Sequence, residues 1–141
     1  VPLGSIVCGS KEFIKEARRW RKMVGGVMRQ VGVIAAAGVV ALETMVERMA
    51  EDHATARRLA LGLSRIRNIS IDPDSVATNL VYFELSSGDP SEIARILNER
   101  GIRGGRSERR WRFVTHYGIT EDDIDYALIL FEETVNEYAK A

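Results

Sequence analysis

The stretch Asn79-Leu80-Val81-Tyr82-Phe83-Glu84-Leu85, followed closely by Asp89-Pro90-Ser91-Glu92, decides the fold. Val81, Phe83 and Leu85 alternate along the first run, so it reads as a strand with one apolar face. Asp89 caps a helix. Pro90 takes the first helical position, where a missing N–H costs nothing, and Glu92 is an acid in the first turn. Ile93, Ile96 and Leu97 form the buried stripe of that helix, Arg100 lies in its last turn and Gly101 follows its end. A strand and a helix that each carry one apolar face are the parts of a two-layer α/β unit.

The pattern extends in both directions. Residues 103–110 read as an Arg- and Gly-rich loop, and Trp111 to His116 alternates as a second long strand. Thr120 with Asp123 opens a last helix whose core face is Ile124, Leu128, Phe131 and Val135. Upstream, Asp72-Pro73-Asp74 is a turn and Ile69-Ser70-Ile71 a short strand. A helix from about Thr44 to Ile66 carries the stripe Met45, Met49, Ala56, Leu59, Leu63 and Ile66.

The first third has a different texture. Ile6 to Cys8 reads as a short buried strand. Ser10 caps a helix marked by Phe13, Ala17, Trp20 and Val24, which Gly25-Gly26 ends. A second helix begins near Val27 or Met28 and is apolar on every side from Val31 to Leu42. A helix without a polar face is buried all round. This chain has little material to surround one, so a missing segment or another subunit is expected to cover it. The chain opens without methionine on a loop feeding a strand, as though cut from something longer. The boundary falls near residue 45, giving domains 1–45 and 46–141.

Composition excludes several classes. The chain has 141 residues, 20 basic and 20 acidic, for a formal net charge of zero. That removes the basic excess expected of a nucleic-acid or membrane-surface protein. A single cysteine, Cys8, allows no internal disulfide and reads as an inert core thiol. Cys8, His53 and His116 match no zinc spacing. The Val31–Leu42 run is far shorter than the roughly 20 residues a membrane span needs. No signal peptide is visible, so a soluble cytoplasmic protein is expected.

Two arginines stand out. Arg29 follows Gly25-Gly26 and is expected in the first turn of the apolar helix, with Lys22 just before the glycines. Helix N-terminal N–H groups attract anions, and an arginine adds a bidentate fork. The pair is either a phosphate site or two surface cations flanking a turn. Arg112 lies inside a strand between Trp111 and Phe113, on the side of Val114 and His116. It either recognises a carboxylate or faces solvent on an edge strand. The arginines at 100, 103, 106, 109, 110 and 112 form a basic segment with one ring, Trp111. That is little stacking surface for nucleic acid. His53 and His116 have no Ser or Cys nearby to suggest a triad, and Glu47 and Glu51 pair on a charged face.

Several stretches, in order, resemble one family. They are Pro2-Leu3-Gly4-Ser5-Ile6-Val7; Arg21-Lys22-Met23-Val24-Gly25-Gly26-Val27-Met28-Arg29-Gln30; Ala35-Ala36-Ala37-Gly38; Glu51-Asp52-His53-Ala54-Thr55-Ala56-Arg57; Thr78-Asn79-Leu80-Val81; and Arg112-Phe113-Val114-Thr115-His116. Together they resemble the low-specificity L-threonine aldolases, which depend on pyridoxal 5'-phosphate and share the aspartate-aminotransferase fold. The resemblance implies the C-terminal part of such an enzyme: residues 1–45 the end of the cofactor-binding large domain, 46–141 the small domain. It implies retro-aldol cleavage of threonine or allo-threonine to glycine and acetaldehyde. Arg112 would bind the substrate α-carboxylate. Arg29, with Lys22 nearby, would reach the cofactor phosphate of a neighbouring subunit in a homotetramer. The Schiff-base lysine is expected upstream of Val1, in the missing N-terminal part, so no catalytic residue is assigned here and this chain alone should be inactive. Val27 replaces the family's third turn glycine, Tyr117-Gly118 follows His116 in place of an apolar residue and Asp, and the 103–110 segment departs from its counterpart.

Two other readings stand beside this one. The first is another activity on the same fold, a β-eliminating or aminotransferase-like enzyme. The second is a free-standing α/β module that uses its arginines for anions or RNA, with an affinity that falls steeply with salt.

Overall fold

The computed structural model describes residues 4–138. The chain divides into two units, Val1–Glu47 and Arg48–Ala141. In the first, Ser10 caps α1 (Lys11–Met23) by accepting a hydrogen bond from the Phe13 N–H at 3.2 Å. Gly25 takes a left-handed φ of +77° and the Gly26 N–H turns back to the Arg21 carbonyl at 2.8 Å, which ends the helix as its glycines predict. The next helix, α2, runs Gly32–Thr44 and so begins several residues later than the apolar pattern suggests. Gln30 holds a left-handed φ of +51°, which breaks helical geometry before Gly32.

Other expectations for this unit also change. Residues 6–8 form no strand and pair with none among the described residues, and Cys8 is exposed rather than a core thiol. No residue of α1 or α2 is buried. Val33 is 77% and Leu42 67% exposed. The apolar pattern of α2 asks for burial on all sides, and one other helix with its flanking loops cannot enclose it. No helix among the described residues is long and apolar enough to cross a membrane.

The second unit is the two-layer α/β arrangement expected from its alternating strands. Its first helix, α3, spans Met49–Leu63 and not Thr44–Ile66, because residues 45–48 form bends and turns after α2. Four short strands follow: β1 (Ile69–Ser70), β2 (Leu80–Leu85), β3 (Gly105–Ser107) and β4 (Arg110–Val114). All pair antiparallel in the order β1-β2-β4-β3. β3 lies within the segment expected to be a loop. It forms a tight hairpin with β4, turned at Glu108, whose φ is +50°.

Helices α4 (Pro90–Glu99) and α5 (Glu121–Tyr138) complete the unit. Asp89 caps α4 through the Ser91 N–H at 2.8 Å. Thr120 and Asp123 cap α5 reciprocally: the Asp123 carboxylate accepts from the Thr120 N–H at 2.9 Å, and the Thr120 hydroxyl oxygen from the Asp123 N–H at 3.2 Å.

The core lies between the helices and one sheet face. Val81, Phe83 and Leu85 of β2 and Trp111 and Phe113 of β4 bury against Leu59 and Leu63 of α3, Ile93 and Leu97 of α4, and Ile124, Phe131 and Val135 of α5. Gly62 permits the close approach of α3 and α5, since a Cβ there would stand 2.2 Å from a Leu128 methyl.

The same two helices are tied on the surface. Arg58 of α3 donates two hydrogen bonds of 2.7 Å to the Asp125 carboxylate of α5. Arg58 holds the Asp125 carboxyl below the usual carboxylate range, and the Thr120 N–H and hydroxyl do the same for Asp123. A carboxyl whose folded pKa is depressed stabilises the fold above its unfolded pKa and loses that contribution as pH falls through the folded value. The melting temperature is therefore expected to fall as pH drops below about 4, and Asp125→Asn to flatten that fall. Thermal scans across acid pH check this; an unchanged acid slope in Asp125→Asn would exclude the Arg58 tie as its source. Asp123 is exposed and Asp125 half-buried at the surface, so the effect is modest.

Candidate functional site

Alternation along β4 sends Trp111 and Phe113 into the core and Arg110, Arg112 and Val114 to the outer face of the sheet. Pairing then fixes the neighbours of Arg112: Tyr82 stands opposite on β2 and Gly105 opposite on β3. Arg112 is thus on a solvent face, as one sequence reading has it, but on an inner strand and not an edge. Its guanidinium makes no ion pair among the described residues. A Cβ at position 105 would lie 3.7 Å from the Arg112 Nη2, so glycine leaves the flank of the guanidinium open. An open depression of about 440 Å³ lies here, lined by Tyr82, Gly105, Arg106, Arg110, Trp111 and Arg112. A free guanidinium fork in such a place is suited to a carboxylate.

The far end of β4 is held firmly. Buried Thr115 donates its hydroxyl to the Asp52 carbonyl at 2.6 Å, and its own carbonyl accepts from the Asn79 side chain at 2.7 Å. These bonds tie β4 to α3 and to the start of β2, so Arg112 sits on a rigid strand. His116 follows, exposed, with its Nδ1 2.9 Å from the Tyr117 carbonyl. His53 is exposed on α3. Among the described residues no group of three or more His, Cys, Asp and Glu side chains could hold a metal ion.

The basic segment does not act as one patch. Arg100 pairs with Glu133 at 3.3 Å, Arg106 donates to the Ser91 hydroxyl at 2.9 Å on the helix side, and Arg109 donates to the Leu85 carbonyl at 3.3 Å. Arg110 lies over the Tyr82 ring, 5.1 Å from its centroid. Only Arg110 and Arg112 share the outer face of β4. Tyr82 and Gly105 escape a reading of single motifs, and Arg110 enters one only as a member of the basic segment. The signal for them is the period-two rule applied across paired strands, and it needs the register, which the sequence leaves open.

Lys22 and Arg29 lie in the other unit. Lys22 occupies the last turn of α1. Arg29 lies in the turn before α2 and not in its first helical turn. Both are exposed, and neither has an ion-pair partner among the described residues. Between them Gly25 has open space where a Cβ would stand.

Comparison with known proteins adds to this geometry. The family model described as "Beta-eliminating lyase" matches residues 1–86. The chain belongs to the beta-eliminating lyase family. The chain is also 36% identical to low-specificity L-threonine aldolase 1 of Arabidopsis thaliana, over 95% of this chain and 38% of the relative. It is 39% identical to the probable low-specificity L-threonine aldolase 2 of the same plant, over 94% and 38%. It is 33% identical to the low specificity L-threonine aldolase of Escherichia coli K12, over 87% and 36%. The chain therefore spans less than two fifths of the length of these relatives. Among solved structures, that of MppP soaked with the product 2-ketoarginine superposes with a TM-score of 0.54 at 6% identity, over 68% of this chain and 30% of that one. That likeness is one of fold.

Proposed function

We propose that this chain is part of a pyridoxal-phosphate-dependent lyase that cleaves L-threonine or allo-threonine to glycine and acetaldehyde. The observation that carries the reading is the unpaired guanidinium of Arg112 on a rigid inner strand, in a chain so similar to threonine aldolases. In this reading residues 1–45 end the cofactor-binding large domain and residues 46–141 form the small domain. The lysine that binds the cofactor belongs to chain outside residues 1–141, so these residues alone are inactive. The working enzyme is a cytoplasmic homotetramer, and the covering of α2 by further chain follows from that assembly.

The cofactor phosphate is a dianion, and the donor set here fits it: two unpaired exposed cations, Lys22 and Arg29, beside a glycine turn with open space. The chemistry the cofactor supplies when bound is an electron sink for the Cα–Cβ bond that breaks. Arg112 binds the substrate α-carboxylate through two N–H donors and so fixes which bond at Cα is presented for cleavage. Lys22 and Arg29 hold the phosphate of a neighbouring subunit.

The family description gives specific support to a second reading, β-elimination on the same fold. Incubating the full-length protein with L-threonine and with L-serine separates the two. Acetaldehyde and glycine are expected from threonine; pyruvate from serine without acetaldehyde from threonine would favour elimination. Arg29→Ala is expected to weaken cofactor retention about tenfold or to dissociate the tetramer, loss of one charged hydrogen-bond donor being enough for that factor. Dialysis against cofactor-free buffer with absorbance and light-scattering readings checks it. Wild-type values for both would leave Arg29 as a turn residue only.

A further inference from the structure

We propose that Arg110 is a second anion-recognising residue beside Arg112, and that the outer sheet face accepts an amino acid with a carboxylate on its side chain. The proposal rests on the reading that Arg112 takes the α-carboxylate. Positions 110 and 112 are alternate residues of β4, so their side chains leave the same face about 7 Å apart. Two cations leaving one face at that spacing repel, and neither has an ion pair among the described residues.

The acid on the same face forms no ion pair with either of them. Glu84 stands directly opposite Arg110 in register. Arg110 instead crosses the ring of Tyr82, 5.1 Å from its centroid, and Tyr82 is the residue opposite Arg112. The aromatic face therefore draws Arg110 along the diagonal towards the Arg112 row. On the other flank, Gly105 has no side chain to fill the space beside the Arg112 guanidinium. The result is two guanidinium groups without an ion pair among the described residues, beside one open depression of about 440 Å³. A ligand with one carboxylate satisfies one fork. A four-carbon amino acid with acid groups at both ends satisfies both and removes their repulsion. A 3-hydroxy amino acid of that kind keeps the hydroxyl that retro-aldol cleavage requires.

Titration calorimetry of the full-length protein tests this, with succinate and acetate as probes at matched ionic strength. Succinate is expected to bind about tenfold more tightly than acetate. Arg110→Leu should abolish that preference while acetate still binds, and Tyr82→Leu should reduce it by freeing Arg110. Circular dichroism of each variant confirms that the exposed substitutions leave the fold intact. Equal affinities for the two probes, or a succinate preference that survives Arg110→Leu, would overturn the proposal. If Arg112→Leu leaves acetate binding unchanged, the carboxylate reading of Arg112 and the proposal built on it fall together. If the succinate preference depends on both arginines but threonine yields no acetaldehyde, the lyase reading fails and the two-arginine site stands.

Discussion

Arg112→Ala in the full-length enzyme is expected to raise the KM for the amino-acid substrate about a hundredfold, with the absorbance of bound cofactor unchanged. A hydrogen bond to a charged group contributes about 1.5–3 kcal/mol, and truncation removes a fork that can make two of them. A loss near 2.7 kcal/mol corresponds to a factor of about 100. The effect should fall on KM because the carboxylate takes no part in bond breaking and is bound alike before and during it. Some loss of kcat follows if the fork also orients the substrate. Arg112→Lys keeps the charge without the planar fork, and should recover only part of the affinity. Steady-state kinetics with L-threonine, alongside the cofactor spectrum, checks each point. An unchanged KM would sink the carboxylate role. An altered cofactor spectrum would move Arg112 to the cofactor instead.

The fold is more legible in the second unit than in the first. Val81, Phe83 and Leu85 alternate in the sequence and are buried in the sheet, because a one-sided strand has one register that hides its apolar face. Asp89-Pro90 and Thr120-Asp123 mark helix starts because capping is local chemistry that tertiary context seldom overrides. The first unit lacks this agreement. Nothing in Met45-Val46-Glu47-Arg48 resembles a helix breaker, yet the chain leaves helical geometry there. Gln30 holds a left-handed backbone without being glycine, so the start of α2 has no composition signal.

The candidate site divides in the same way. Arg112 was legible because a charged residue within an apolar strand breaks the pattern around it. Its surroundings were not. β3 is entered through Gly104-Gly105 and the hairpin turns at Glu108-Arg109, a pair with none of the usual hairpin chemistry, so the segment reads as loop. What makes it a strand is the row of hydrogen-bonding groups on β4, which no residue of 103–107 announces. Tyr82 and Gly105 flank Arg112 only through that pairing. Arg29 and Lys22 were found by their glycines, and the structure changes the place of Arg29 from helix to turn while leaving both side chains exposed.

Phe131→Ala is expected to destabilise the second unit by about 3–5 kcal/mol, the usual cost of truncating a buried aromatic ring. Phe131 is 1% exposed and meets three other rings edge-on: Phe83 with centroids 5.4 Å apart, and Trp111 and Phe113 at 5.6 Å each. These rings join α5 to both long strands of the sheet, so the cavity opens where helix and sheet layers meet. Neighbouring side chains cannot easily collapse into it, because Phe83, Trp111 and Phe113 are fixed to paired strands and already pack against one another. Domains of ordinary stability hold about 5–15 kcal/mol, so this one change removes a large part of it. Tyr126 lies on the same helix but is 55% exposed, and Tyr126→Ala should cost no more than about 0.5 kcal/mol. Urea unfolding of the full-length protein, followed by tryptophan fluorescence, compares the two. Trp111 buries among the affected rings and reports on this unit directly, while Trp20 and any tryptophan outside residues 1–141 contribute to the baseline. A large fall in midpoint for Phe131→Ala with little change for Tyr126→Ala is the expected result. Equal shifts would mean that the α5–sheet seam contributes no more than the exposed face of the helix, and the four-ring cluster would lose its place as the centre of the core.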